Sequence, residues 1–596
     1  MRRILFVVAL LAALAPTAGQ SASAQIAPLS QFSGYSTGTA VHAGALESGT
    51  TRLVDSEIAS SGANVNSGGI GPALTNEMKQ AYQSVAEAGD KSAGRGSGLE
   101  IGVATTVPNV TNANQINPGS TVQAFAPTST ALLTKEFVPV ALDPIVNATT
   151  LRGQAQAIYS DSVCVLGQPI SSGLGYAANA NLVNTGTPLT SLLATNTGTN
   201  AVNQSKSFTY LIPNGDGSYG LVTETHQILA PVTLIPGIAG IPILSVEFAG
   251  EWVLRSTATG ISKPGGAKVD YAPGGDPTST TKVLTIKAAG AVVQSFTTQE
   301  FLSQKGLPIT LPAGLGEIVI GEAPRAIGGA TGSSPVTAAD GTMAAAAVDV
   351  LRVKVGLGAI AGITDLRVGH MESSATVPVG GIQCGIPVKK VGTPASVVAG
   401  KDQIVNYTIT VPADVEAFKA IACDIKNIKV VDVTTAESGV KFNIVSASSG
   451  GVISGGDTVT WANLGTYKPG GAPIVLTVGL KVPADSAAGK ITDTATATAV
   501  LGDCKGNDSA NAASLTGLAT VEAAALTGTA GFAGNATTLA DAAPVVGGAG
   551  ATPVGGVQTG FGGTSHSKSR VLPIGTALGS IALLGSLTAW RRRRNG

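Results

Sequence analysis

From Val405 to Val411 the chain alternates strictly, with Val405, Tyr407, Ile409 and Val411 separated by Asn406, Thr408 and Thr410. Ile474, Leu476, Val478, Leu480 and Val482 repeat the pattern, and Ala495, Ala497 and Ala499 alternate with Thr494, Thr496 and Thr498. A period of two puts every second side chain on one face, which is the signature of half-buried strands. Gly455-Gly456-Asp457 before Val459 and Trp461, and Gly470-Gly471 before the Ile474 run, supply turns between them. About seven short strands over residues 387–504 predict an immunoglobulin-like β-sandwich with Trp461 in its core. Upstream, Ile241 to Leu254 and Val283 to Phe296 are Val/Ile/Leu runs bounded by Gly and Pro, again strand-like. Leu74, Met78, Tyr82 and Val85 fall at helical spacing, with Pro72 before them and Gly89 after, and predict a helix. Thr297 and Glu300 have capping-box spacing with Gly306 beyond, predicting a second short helix near Gln299–Gln304. Residues 25–386 therefore read as a large β-rich domain with a few packed helices.

The ends carry different patterns. Arg2 and Arg3 precede an apolar run from Ile4 to Ala15, Pro16 breaks it, and Ala22-Ser23-Ala24 has the small residues of a cleavage site. Residues 1–24 read as a secretory signal peptide cut between Ala24 and Gln25. Near the other end Val571 to Trp590 is uncharged, and as a helix its residues 571–590 would span about 30 Å. Trp590 sits at the interface position, and Arg591, Arg592, Arg593 and Arg594 begin a basic tail, residues 591–596, that stays cytoplasmic. The expectation is one transmembrane helix with residues 25–570 outside. Leu572-Pro573-Ile574-Gly575-Thr576 has the shape of a wall-sorting signal with its last two residues reversed, a departure that favours a retained membrane helix over sortase cleavage. Residues 505–570 lose pattern and become rich in Ala, Gly, Thr and Val, predicting a flexible stalk with a root-mean-square span of roughly 45 Å, the alternative being extra strands near Leu515 to Leu526.

Composition narrows the function classes. Lys plus Arg and Asp plus Glu are 36 each, only 12% of residues are charged and 4% are aromatic. No basic stripe is present for phosphates, so nucleic acid is excluded as a partner. Setting aside Arg2, Arg3 and the four tail arginines leaves the exterior at about −6. Cys164, Cys384, Cys423 and Cys504 in an exported chain predict two disulfides. Of three possible pairings, the simplest joins Cys164 to Cys384 and Cys423 to Cys504, each within one region. No Cys-x-x-Cys, His-Glu-x-x-His or phosphate-loop motif occurs, so neither a metal nor a cofactor is expected.

Catalytic patterns fare poorly. Gly34-Tyr35-Ser36-Thr37-Gly38 matches a nucleophile elbow literally but lacks a following helix pattern. Asn214-Gly215-Asp216-Gly217-Ser218 has calcium-like oxygen spacing without a closing Glu, and reads as a hairpin turn. His226 and His370 stand alone and read as local hydrogen-bonding groups. Catalytic residues are accordingly none.

Two resemblances follow from particular residues. Pro394-Ala395-Ser396-Val397-Val398-Ala399-Gly400-Lys401, Val405 to Val411, Gly456 to Trp461 and Ala488 to Thr496 together resemble a bacterial surface repeat, which implies an immunoglobulin-like spacer. Tyr35 to Ala43, Leu53 to Ala59 and Gly94 to Glu100 resemble the choice-of-anchor G family of actinobacterial surface proteins, which implies neither an activity nor a ligand. The expectation is a non-enzymatic cell-surface display protein, structural or adhesive, anchored in the bacterial envelope. Its expected partners are the membrane, crossed once, and a cell-wall polymer or another surface protein. The alternative is a surface-anchored hydrolase acting on wall polysaccharide, which needs paired carboxylates in a cleft.

Overall fold

The computed structural model describes residues 31–504, apart from internal stretches such as 107–114, 183–192 and 236–243, and residues 525–537. Ala24 and Gln25, and the segment from Val571 through Trp590 to Arg591, Arg592, Arg593 and Arg594, lie outside the described residues. No described helix is long and apolar enough to cross a membrane.

The chain is mainly β, in several antiparallel sheets. Eight long strands lead: β1 (Ser33–Ser48), β2 (Thr51–Asn66), β3 (Ser92–Thr106), β4 (Thr150–Ala157), β5 (Ser171–Ala178), β6 (Val202–Pro213), β7 (Ser218–Ile228) and β8 (Glu251–Ala258). After the short helix α1 (Thr298–Ser303) come β9 (Met343–Val355) and β10 (Ile363–Thr376). One sheet runs β9-β10-β1-β2-β3 through its centre, and a second runs β8-β7-β6-β5-β4. The helix has the predicted cap: Glu300 accepts from the Thr297 amide at 2.7 Å, and Thr297 Oγ1 accepts from the Glu300 amide at 3.2 Å. Where helical spacing predicts a helix over 74–85, the chain instead forms two short paired strands, Ala73–Thr75 and Ala81–Val85. Cross-strand pairing there overrides a four-residue spacing too sparse to specify a helix by itself.

The two long sheets pack through glycine and hydroxyls rather than bulky side chains. Gly94 and Gly96 of β3 point at the β4 and β5 backbones, and a Cβ on Gly96 would lie 2.0 Å from the Leu174 carbonyl oxygen. From the other side, a Cβ on Gly173 would lie 1.8 Å from the Arg95 oxygen and one on Gly175 2.3 Å from the Ser60 oxygen. The backbones thus approach more closely than the roughly 10 Å usual for stacked sheets. Beside the glycines, Ser61 shares hydrogen bonds of 2.8 Å with Ser205 and Ser207, and Ser256 with Ser373 at 2.6 Å. Gly, Ser and Thr here make a sheet-to-sheet core. At Ala59 of β2 the backbone enters the left-handed region (φ 52°). On β3, Arg95 and Glu100, five residues apart and both buried, meet in an ion pair.

Apolar packing closes both ends of this stack. Ile58, Leu99, Trp252, Leu254, Val348 and Val368 belong to one cluster, with Trp252 edge-on to Phe301 of the helix at 5.0 Å. The other cluster runs from Val65, Leu211 and Tyr219 into the downstream strands. These are β11 (Lys389–Thr393), β12 (Gln403–Val411), β13 (Cys423–Ala436), β14 (Thr458–Trp461), β15 (Ile474–Val482), β16 (Gly489–Cys504) and β17 (Ala525–Thr537). A four-stranded sheet contains β11, β12 and β15, and a six-stranded sheet contains β13, β14, β16 and β17. Their inward residues are those the alternation picks out: Tyr407, Ile409, Leu476, Val478, Ala495, Ala497 and Trp461. Residues 525–537, read from sequence as stalk, pair along β16 from Val500 to Gly489.

Cys164 is bonded to Cys384 with Cα atoms 5.5 Å apart. Cys423 is also in a disulfide, and the β13–β16 register sets it directly opposite Cys504. Leu166, two residues after Cys164, bridges to Ile421, so the covalent and hydrogen-bonded ties lie at the junction of the upstream and downstream regions.

Candidate functional site

The chemistry-bearing side chains gather in buried charged clusters on the strands. In the first, Glu224 and His226 are two apart on β7 and share a face; the register sets Glu224 opposite Phe208 and Arg255, and His226 opposite Lys206. His226 Nε2 contacts Glu224, and its Nδ1 lies 3.2 Å from Glu251. Arg255 Nε and the Tyr210 hydroxyl both donate to Glu224 Oε2 at 2.7 Å, and Phe208 stands edge-on to the imidazole at 5.8 Å. Burial by itself would lower the His226 pKa, but the hydrogen bonds to Glu224 and Glu251 outweigh it and raise it to about 9. Burial would likewise raise Glu224, and His226 and Arg255 instead hold it at about 2. An imidazolium between two carboxylates has no lone pair to offer, so at neutral pH this group is an ionic clasp between β7 and β8 and not a general base.

The clasp makes stability depend on pH. His226 is raised in the fold, so its contribution is full below about pH 6.5 and is lost as pH rises through about 9. Glu224 is depressed, so its contribution is full above about pH 4.3 and is lost as pH falls through about 2. The two are one interaction seen from both partners and are not summed. Unfolding free energy is expected to fall by up to about 3 kcal/mol between about pH 6 and pH 10. Denaturant titrations at the two pH values check this, and His226→Gln is expected to flatten the alkaline limb.

A second cluster lies on the other long sheet. Asp349 of β9 is directly opposite His370 of β10. Asp349 Oδ1 is 2.6 Å from His370 Nδ1, and its Oδ2 accepts from Arg325 Nη2 at 2.8 Å. Arg325 Nη1 lies 3.1 Å from Glu322, His370 Nε2 lies 3.5 Å from Glu372, and Tyr35 donates to Glu372 at 3.4 Å. Asp349 is fully buried, yet the charges of His370, Arg325 and Arg367 overcome burial and hold its carboxyl well below the usual range. Glu322 goes the other way, raised by burial and by the neighbouring Asp349 charge. An Asp–His pair supplies two of the three members of a hydrolytic triad; here the second imidazole nitrogen lies against another carboxylate, that of Glu372.

The remaining sequence candidates fall elsewhere. Ser36 lies within β1, fully buried, and its hydroxyl donates to the Phe208 carbonyl at 3.0 Å, so no strand-to-helix elbow exists there. Asn214 to Ser218 is the β6–β7 hairpin turn: the Asn214 amide donates to the Ser218 carbonyl at 2.9 Å, and Asp216 accepts from the Ser218 amide at 2.9 Å. Trp461 is buried in the downstream core and donates to the Ser448 carbonyl at 2.7 Å. Among the described residues no group of three or more His, Cys, Asp or Glu is arranged so that it could hold a metal ion. Sequence reasoning treats His226 and His370 as isolated. The Glu-x-His spacing on β7 carries part of the signal, while Glu251, Arg255 and Asp349 arrive only through strand register.

No protein-family model matches the chain, and no curated protein matches it at a significant level. Among solved structures it is similar to the N-terminal domain of the Streptococcus gordonii adhesin Sgo0707, at 11% identity and a TM-score of 0.14, over 69% of this chain and 90% of that one.

Proposed function

We propose that the chain is a non-enzymatic bacterial cell-surface display protein, structural or adhesive. The observation that carries the reading is the Cys164–Cys384 disulfide in an antiparallel scaffold, a bond that belongs to an oxidising, extracytoplasmic compartment. The inward use of ionisable groups supports it too, because His226 with Glu251, Glu224 with Arg255, and Asp349 with His370 fasten strands to one another. In this reading residues 25–386 are the outer domain, related to choice-of-anchor G proteins of actinobacteria. Residues 387–504, joined by the strand over 525–537, are an immunoglobulin-like module, and the segment after that strand is a stalk to one membrane helix over 571–590, with Arg591 to Arg594 inside. The outer surface meets a wall polymer or a neighbouring surface protein.

Intact mass of the protein recovered from its native cells, after separate detergent and muramidase extraction, tests the anchoring. Release by detergent with Arg591 to Gly596 still attached is the expected result. Release only by muramidase, with the mass ending near Gly575 or Thr576 plus wall fragments, would make it a covalent wall component instead.

A further inference from the structure

The third buried charged cluster lies between the two downstream sheets. Lys390 comes from β11 of the four-stranded sheet, whereas Asp432 of β13 and Asp493 of β16 come from the six-stranded sheet. All three side chains are 0% exposed. Lys390 Nζ contacts Asp432, lies 2.7 Å from Asp493 Oδ2 and sits 4.8 Å from the centre of the Tyr407 ring. Thr434, directly opposite Asp493 in the register, donates to its other oxygen at 3.1 Å. Asp493 Oδ2, although at contact distance from Nζ, accepts no hydrogen bond, so the pair touches without salt-bridge directionality.

As a purely ionic triad this arrangement is costly. Removing an ammonium and two carboxyl groups from water carries a penalty of several kcal/mol per ion, and apolar replacements often match or exceed such a triad in stability. Two of its groups, an amine and a carboxyl held in contact in an apolar setting, are also the reactants of amide formation. Fixed proximity of that kind replaces an effective molarity of about 10⁵ M or more.

We propose that Lys390 and Asp493 are joined by an intramolecular isopeptide bond, formed within the folded module with Asp432 as the proton-transfer group. Lys390 gives its ammonium proton to the carboxyl pair, and neutral Nζ attacks Cγ of Asp493. Asp432 donates a hydrogen bond to the developing oxyanion, passes its proton to the departing hydroxyl, and recovers one from the nitrogen. One C–N bond forms, one C–O bond breaks and one water leaves, so ammonium plus carboxylate become amide plus water with no oxidant or reductant. Asp432 suits this role because burial above all, with the Asp493 charge adding and Lys390 opposing, pushes its carboxyl up to about 7, where it both donates and accepts. The product leaves no ion in the core and ties the first strand of the module to β16 across the two sheets.

Mass spectrometry of the full chain, reduced and denatured, tests this directly. The expected result is a mass lower by one water than the sequence requires, with a branched peptide joining Lys390 to Asp493. Asp432→Ala keeps both reactants and is expected to slow bond formation by about 100-fold or more. Lys390→Met is expected to remove the branched peptide altogether. The wild-type measurement stands even where a variant fails to fold. Full sequence mass, with Lys390 and Asp493 in separate linear peptides, would overturn the proposal. So would a water loss confined to a linear peptide around Asp493, which is a succinimide, or a branch from Lys390 to Asp432.

Discussion

Gly173→Ala is expected to destabilise the outer region by more than about 3 kcal/mol, beyond the ordinary cost of overpacking a core by one methyl. The added Cβ would lie 1.8 Å from the Arg95 carbonyl oxygen and 2.5 Å from that of Gly62. Both oxygens belong to backbones of central strands in the facing sheet, so no side-chain rotation relieves the clash. Relief requires the sheets to separate, and that breaks the Ser61–Ser205 and Ser61–Ser207 hydrogen bonds on the same interface. Gly62→Ala is the matched control. It sits on β2 of the same stack, but its Cβ would meet nothing closer than 3.8 Å, at the Arg95 side chain. Its expected effect is within about 0.5 kcal/mol of wild type. Denaturant unfolding of the two variants in parallel is the check. Equal stabilities would mean that the two sheets do not touch through their backbones.

That interface also shows where reading the sequence stops. The alternation of Val405, Tyr407, Ile409 and Val411 is visible because one face of β12 is apolar and the other polar, and the structure buries the four residues so picked out. The Thr297–Glu300 box and the Asn214–Ser218 turn are equally legible, because each is a local hydrogen-bond pattern that spans a few residues. The long stack defeats the same method, since both faces of its strands carry small or polar residues. Gly94, Gly96 and Gly98, with Gly173 and Gly175, do recur at the strand period of two. Glycine in that rhythm is usually discounted as a weak or bulged strand, and only the partner sheet shows that each gap is filled by another backbone. The charged clusters are less legible still. Asp349 and His370 are far enough apart in sequence that only the β9–β10 register joins them. Arg95 and Glu100, five residues apart on β3, would sit on opposite faces of a regular strand, and nothing in the sequence announces that they meet.

Asp349→Ala is expected to cost about 3–5 kcal/mol, the range for removing one partner of a buried ion pair and leaving the others uncompensated. The variant strips His370 of its 2.6 Å contact and Arg325 of its 2.8 Å hydrogen bond, both inside the sheet packing where water does not replace them. The exposed pair Lys441–Asp485, 2.6 Å apart with both side chains more than half exposed, gives the contrast: Asp485→Ala is expected to cost less than about 1 kcal/mol. Thermal or denaturant unfolding of the two variants separates these magnitudes. The outcome also bears on function. Polar groups assembled for catalysis are commonly held against stability, and replacing them leaves a fold equally or more stable. A large loss at Asp349 is what a clasp between β9 and β10 requires, whereas an unchanged or stabilised Asp349→Ala would assign the Asp–His pair to chemistry and favour the hydrolase over display.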